Sequence, residues 1–240
     1  VSAVNVFRLK NGVVFVSDGA TYDDTGVLRG IHSKVFGLSE LSCILGVRGD
    51  GRILSLLLHN IRCKATWTTF DNLLGGIVAE ARDVSEMLLE HDGHDASFEL
   101  SLGGRSEERN QWETYRIRSH THPTLGLAPW TVHELVPTFA GGAPDIDAMT
   151  RVGIKLNEKG TPIFDSWPDL AKRLILAQRI SPMQLYEAPG APMGYGVGGF
   201  IQITELSADG ISSRVVQRWP DVIGQKIDPS HDPDPGDWQI

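Results

Sequence analysis

The sequence predicts an α+β fold built on antiparallel sheets. Three observations carry this reading. The 240 residues run as strands, helices, strands, one helix and strands again, rather than as strict βαβ alternation. An Asn-Gly pair separates two apolar runs close to the start, the strongest short hairpin signal because both turn positions tolerate positive φ. One long stretch, Phe70 to Glu90, repeats apolar residues at helical spacing.

Taken in order, Val4-Asn5-Val6-Phe7 and Val13-Val14-Phe15-Val16 place strands near 3–9 and 13–18, turning at Asn11-Gly12. With that turn Asp18 faces Asn5, about 10 Å along the strand from Ser2 at roughly 3.3 Å per residue. A polar loop follows from Gly19 to Gly30, then short strands at 34–38 and 42–47 and a helical segment at 52–62. The 70–90 helix starts on a cap from Thr69 or Asp71 and stops at His91-Asp92-Gly93. Strands at 96–102, 112–119 and 132–139 come next, with loops at 103–110 and 120–130. A helix at 169–179 leads into a Gly/Pro-rich loop, 187–199, and two closing strands at 200–206 and 211–219. Residues 1–227 read as a single domain, and 228–240, with its aspartates and prolines, as a flexible acidic tail.

Composition excludes several classes of function. Hydrophobic residues make up 41% and charged residues 22%, as in a folded chain able to bury its own core. No apolar run nears the roughly 20 residues that cross a bilayer, so no membrane partner is expected. A formal charge of −8 speaks against nucleic acid, which draws most of its affinity from a basic footprint. The opening VSAVNVFRLKNG has no secretory pattern. Cys43 and Cys63 lack a CxxC spacing and read as buried thiols in a reducing, cytoplasmic setting. No cofactor or metal is expected. His120-Thr121-His122 and the His91/His94, Asp92/Asp95 group lack a third spaced ligand and read as surface residues. Gly194-Tyr195-Gly196-Val197-Gly198-Gly199 lacks the lysine of a phosphate loop and reads as a flexible or tightly packed loop.

Three polar residues stand out: Ser2, Asp18 and Lys34, sixteen residues apart each time. With the segments GVVFVSDGATYD and SKVFGL, the first 62 residues resemble proteasome β-subunits and the bacterial proteasome-like protease, members of the N-terminal-nucleophile (Ntn) hydrolases. The resemblance implies a four-layer sandwich, two antiparallel β-sheets flanked by helices. It places Ser2 on the nucleophile, Asp18 on the aspartate that ends the second strand, and Lys34 on the lysine that opens the third. It further implies Gly49, in Leu45-Gly46-Val47-Arg48-Gly49, and Thr21 as oxyanion and substrate-binding positions. The implied reaction is hydrolysis of a peptide or amide substrate through an acyl-enzyme, by a homo-oligomer such as a ring.

The chemistry suits these residue types. A serine hydroxyl needs an adjacent base, and a leading residue carries one in its own α-amine, with a pKa of about 7.7–8.0. A lysine depresses that pKa and an aspartate holds the lysine. A glycine N–H can stabilise an oxyanion. The chain departs from the family in four ways. Val1 precedes Ser2, and Ala20 stands where the family has arginine. The turn Phe139-Ala140-Gly141-Gly142 carries no hydroxyl. The later supporting aspartate and serine are not recognisable. The rival reading is therefore a catalytically degenerate Ntn-fold structural or assembly protein, for example of a bacterial or phage particle.

Overall fold

The computed structural model describes residues 2–64, 66–93, 96–121, 126–135, 138–141 (138–140 by backbone), 144–158, 161–164, 166–186 and 190–233. The first half contains strands β1 (Val4–Leu9), β2 (Gly12–Asp18), β3 (Ala20–Tyr22), β4 (Leu28–Ile31), β5 (Val35–Leu38) and β6 (Cys43–Gly49). Helices α1 (Arg52–Cys63) and α2 (Phe70–Asp92) follow. Next come β7 (Phe98–Ser106), β8 (Gln111–Arg118), β9 (His133–Glu134), β10 (Thr138–Gly141), α3 (Ile146–Arg151), β11 (Lys155–Leu156) and β12 (Pro162–Ile163). The chain closes with α4 (Trp167–Ile180), β13 (Met183–Gln184), β14 (Met193–Gly194), β15 (Phe200–Ser207) and β16 (Gly210–Arg218).

Two five-stranded antiparallel sheets dominate, in the orders β10-β1-β2-β15-β16 and β5-β6-β7-β8-β9. The mixed helix and antiparallel sheet content is that of an α+β protein. Strand periodicity explains the apolar runs. In β2, Val13 and Phe15 point to one face and pack with Val4, Val6, Val35 and Ile44, a cluster shared by both sheets. Val14 and Val16 point to the other face and pack with Leu170, Leu174 and Ile175 of α4. A strand buried on both faces has no polar alternation. The second sheet behaves likewise: Cys43, Leu45 and Val47 pack on Ile53, Leu57, Leu73 and Ile77 of α1 and α2, while Ile44 faces the first sheet.

The first hairpin differs from expectation. Val4 pairs with Ser17 and Leu9 with Gly12, so the turn residues are Lys10 and Asn11. Neither Asn11 nor Gly12 has positive φ. Gly12 is required for another reason: a Cβ there would lie 2.3 Å from the Leu206 carbonyl oxygen, because β15 runs against it. Gly12→Ala is expected to destabilise the fold by about 1–3 kcal/mol through overpacking against backbone, measured as a lower urea midpoint.

Other boundaries move for similar reasons. The 19–30 loop contains the β3–β4 ribbon, closed by the Asp23 carboxylate, which accepts from Thr25 N (2.9 Å) and Val27 N (3.1 Å). The 103–110 loop is shorter, because β7 continues through Gly103 and Gly104, whose missing side chains admit Phe15 and Phe70. The region near 132–139 splits: β9 joins one sheet and β10 the other. Helix α3 has no counterpart in the sequence reading. The 187–199 loop contains β14, paired with β13, while 187–189 lie outside the described residues. Thr69, not Asp71, caps α2, accepting from Asn72 N at 3.1 Å. Cys43 is buried, which pushes its thiol up to about 12, but Cys63 is exposed. Of the acidic tail, 228–233 include a 3-10 turn at Pro229–His231, and 234–240 lie outside the described residues. Among the described residues no helix is long and apolar enough to cross a membrane, and no cluster of metal ligands forms. His94, Asp95 and His122 are outside them.

Candidate active site

The observed register decides the geometry. The hairpin ladder extends beyond Val4, with Asp18 N donating to the Ala3 carbonyl at 3.3 Å. Asp18 therefore sits opposite Ala3, one residue from Ser2, rather than opposite Asn5 as the Asn-Gly turn implied. Its carboxylate, 0% exposed, is fully engaged. Oδ1 accepts from Lys34 Nζ at 2.5 Å and Ala3 N at 3.0 Å. Oδ2 accepts from Ala20 N at 3.0 Å and Gly198 N at 3.1 Å. Lys34, just before β5, is only 6% exposed. Burial holds its ammonium below the ordinary lysine range, against the pull of Asp18.

Lys34 reaches the wall of a cleft of about 500 Å³ that Ser2, Thr21, Tyr22, Val47 and Gly49 also line. Four of the five residues expected from the sequence thus share one cleft, and Asp18 stands behind Lys34. Ser2 is nearly buried, and its carbonyl accepts from Arg48 Nε at 2.6 Å. Val1 lies outside the described residues. Gly49 ends β6 with φ +94°, and a Cβ there would fall 2.2 Å from the Ser97 carbonyl oxygen. Val47 N is taken by the Lys34 carbonyl, and Asp50 N by the Ser97 carbonyl on the opposite side. Alternation along the strand turns the Gly49 N–H to the Lys34 side, past the start of β5. Thr21 Oγ1 lies 3.0 Å from His32 Nε2.

Several residues of the cleft carried no motif. Arg48, Glu99 and Arg118 form one cross-strand row over β6, β7 and β8, since Arg48 pairs with Glu99 and Glu99 with Arg118. The Glu99 carboxylate meets Arg48 at 3.2 Å and Arg116 and Arg118 at 3.6 Å, all largely buried. Arg118 Nη2 lies 2.9 Å from His120 Nε2. A guanidinium only donates, so Nε2 accepts and the Nδ1 proton faces Ser97 Oγ, at 3.1 Å. His120 therefore cannot take a proton from Ser97 through Nδ1. Burial, and secondly the Lys34 charge, lower the pKa of His32. Its imidazole is expected to be neutral at pH 7, with an NMR titration midpoint below the ordinary value of about 6.5. A midpoint above that value would remove the charge effect of Lys34.

No protein-family model matches the chain, and no curated protein sequence matches it. Among solved structures, the fold is similar to a Gly-1 mutant of Anbu from Hyphomicrobium sp. strain MC1, at TM-score 0.58 and 14% identity, covering 90% of this chain and 88% of that one. It is also similar to Anbu, described as an ancestral β-subunit, from Yersinia bercovieri, at TM-score 0.57 and 13% identity over 90% and 87% of the two chains. At these identities the likeness is one of fold, and the fold is proteasome-like and of the Ntn type.

Proposed function

We propose that the chain is an Ntn hydrolase that cleaves peptide or amide bonds through an acyl-enzyme on Ser2. Its frame is a four-layer sandwich, supported by apolar clusters between the two sheets and between each sheet and its helices. The observation that carries the reading is the buried Lys34–Asp18 pair on the wall of the cleft that Ser2 lines. Once Val1 is removed, the α-amine of Ser2 takes the proton from its own Oγ. The Lys34 charge lowers the pKa of that amine and hydroxyl. Oγ attacks the substrate carbonyl, and the oxyanion is met by the Gly49 N–H. The amine then gives its proton to the leaving nitrogen, and water releases the acyl group by the reverse path. Thr21 contributes to substrate binding along the cleft. Self-association into a ring is part of this reading, carried over from the family.

The rival reading is a silent Ntn-fold assembly protein, favoured by Val1 standing before Ser2. Intact mass and amino-terminal sequencing of the natural protein, with an electrophilic peptide probe, separate the two. Loss of Val1 and labelling that disappears in Ser2→Ala support the hydrolase. A retained Val1 with unlabelled Ser2 overturns it.

A further inference from the structure

The loop that donates to Asp18 is itself held from behind by a buried cation. Gly198 gives its N–H to Asp18 Oδ2, and its carbonyl accepts from Gly19 N at 2.9 Å. Next to it, Gly199 N donates to Asp221 Oδ2 at 2.7 Å. Asp221 is one of two carboxylates that close on Arg179, in the last turn of α4. Arg179 Nη1 donates to Asp221 Oδ2 and to the Val197 carbonyl, each at 3.0 Å. Its Nη2 donates to Asp221 Oδ1 at 3.1 Å and Asp232 Oδ1 at 2.9 Å, and its Nε donates to Asp232 Oδ2. The guanidinium lies 4.4 Å from the Trp219 ring centroid. Arg179 is 1% exposed, and both carboxylates are nearly as deeply buried.

The two glycines fit this path and no side chain would. A Cβ on Gly198 would lie 2.6 Å from Asp221 Oδ2 and 3.2 Å from Arg179 Nη1. Gly199 has φ +75°, and a Cβ there would lie 2.7 Å from Ile31. The Gly-rich motif is a backbone link between two buried ionic groups, Asp18–Lys34 in front and Arg179–Asp221–Asp232 behind. The rear group draws in Asp232 from the acidic tail. A backbone N–H holds a carboxylate in place only as firmly as its own loop is held.

We propose that Arg179, Asp221 and Asp232 are positioning residues of the candidate active site: the segment after β16 folds back onto α4 and, through Gly198 and Gly199, fixes Asp18 and with it Lys34. The functional meaning rests on the hydrolase reading, but the positioning does not. The test uses the full chain. Asp232→Asn removes one carboxylate charge from Arg179, lets the 197–199 loop loosen and admits water beside Lys34. The Lys34 titration midpoint, read by NMR of labelled lysine, should move up by about half a pH unit or more toward the free value. Labelling of Ser2 by the electrophilic probe should slow about tenfold or more. Asp18, Arg48 and His32, whose charges couple to Lys34, and Tyr22, which lines the same cleft, are unchanged in this variant. Asp232→Glu should recover much of both readouts. Ile77→Val, a remote change in the α2 core, should lower the melting temperature without moving the Lys34 midpoint.

A folded Asp232→Asn with the wild-type Lys34 midpoint overturns the proposal. If that variant does not fold, hydrogen exchange of the wild type decides. The Gly198 and Asp232 amides should open together; Asp232 opening far more readily, with Gly198 still protected, overturns the proposal. A displaced midpoint in Asp232→Asn with no labelling even of the wild type supports the positioning role and sinks the hydrolase reading alone.

Discussion

Lys34→Met is expected to cost about 3–5 kcal/mol of stability, because it strips the counter-charge from a carboxylate that no water reaches. Asp18 would keep three backbone donors, Ala3 N, Ala20 N and Gly198 N, but no cation. For a chain of this length that loss lowers the melting temperature by roughly 10 °C. Probe labelling of Ser2 should fall about 100-fold or more, since the base in the site loses its electrostatic tuning. The two losses separate in Asp18→Asn/Lys34→Met. Removing both charges restores part of the stability but none of the labelling. Recovery is partial because one end of an asparagine amide would turn its NH2 toward backbone donors. The pH dependence has a definite sign. Lys34 is held below its ordinary 10.5 by burial, chiefly, with Asp18 pulling the other way. Between the folded and unfolded values the unfolded chain binds the proton that the folded chain has released, so Lys34 adds stability as pH rises through that window. The gap between wild type and Lys34→Met should therefore widen as pH approaches 10.5, in urea titrations at pH 8 and pH 10. A gap that narrows would mean that the pair, not burial, sets the lysine's affinity for its proton.

The sequence carried the hairpin, the long helix and the sixteen-residue spacing because each depends on local geometry. It misplaced the hairpin register by two residues, putting Asp18 opposite Asn5 instead of Ala3, because Asn-Gly has two uses. Here Gly12 serves the close approach of β15, a contact with residues 206 and 207 that no local pattern reveals. The same limit hid the Gly198 link, since nothing near that glycine in sequence mentions Asp18. The Arg48–Glu99–Arg118 row was closer to legible. Glu99 and Ser101 alternate with Phe98, Leu100 and Leu102, and Arg116 and Arg118 flank Ile117. That alternation places them on one face of their strands. A charged face of an antiparallel sheet ordinarily meets water; here it meets the other sheet and the cleft, so the polar residues belong to the site.

That row makes Glu99→Gln the other substitution with a large expected effect. The change is nearly isosteric, so little packing is lost. What disappears is a carboxylate that three guanidiniums share, Arg48, Arg116 and Arg118, at 3.2–3.6 Å and largely out of water. Breaking a buried ionic cluster by removing one sign of charge costs about 3–5 kcal/mol, and the glutamine NH2 adds a further donor beside groups that only donate. Arg48 loses its anchor, and the 2.6 Å bond from its Nε to the Ser2 carbonyl loosens with it. Ser2 labelling should therefore slow even though Lys34 and Asp18 are intact. Sulfate distinguishes charge from packing. An anion that enters the cleft lined by Arg48 and Arg118 and binds the uncompensated cluster in the folded state stabilises the variant by mass action, and it finds no such vacancy in the wild type, where Glu99 already occupies that position. Urea midpoints of the variant should climb with sulfate more steeply than those of the wild type. Parallel slopes would place the cost in shape rather than charge, and would leave Arg48 as a packing residue with no hold on the nucleophile.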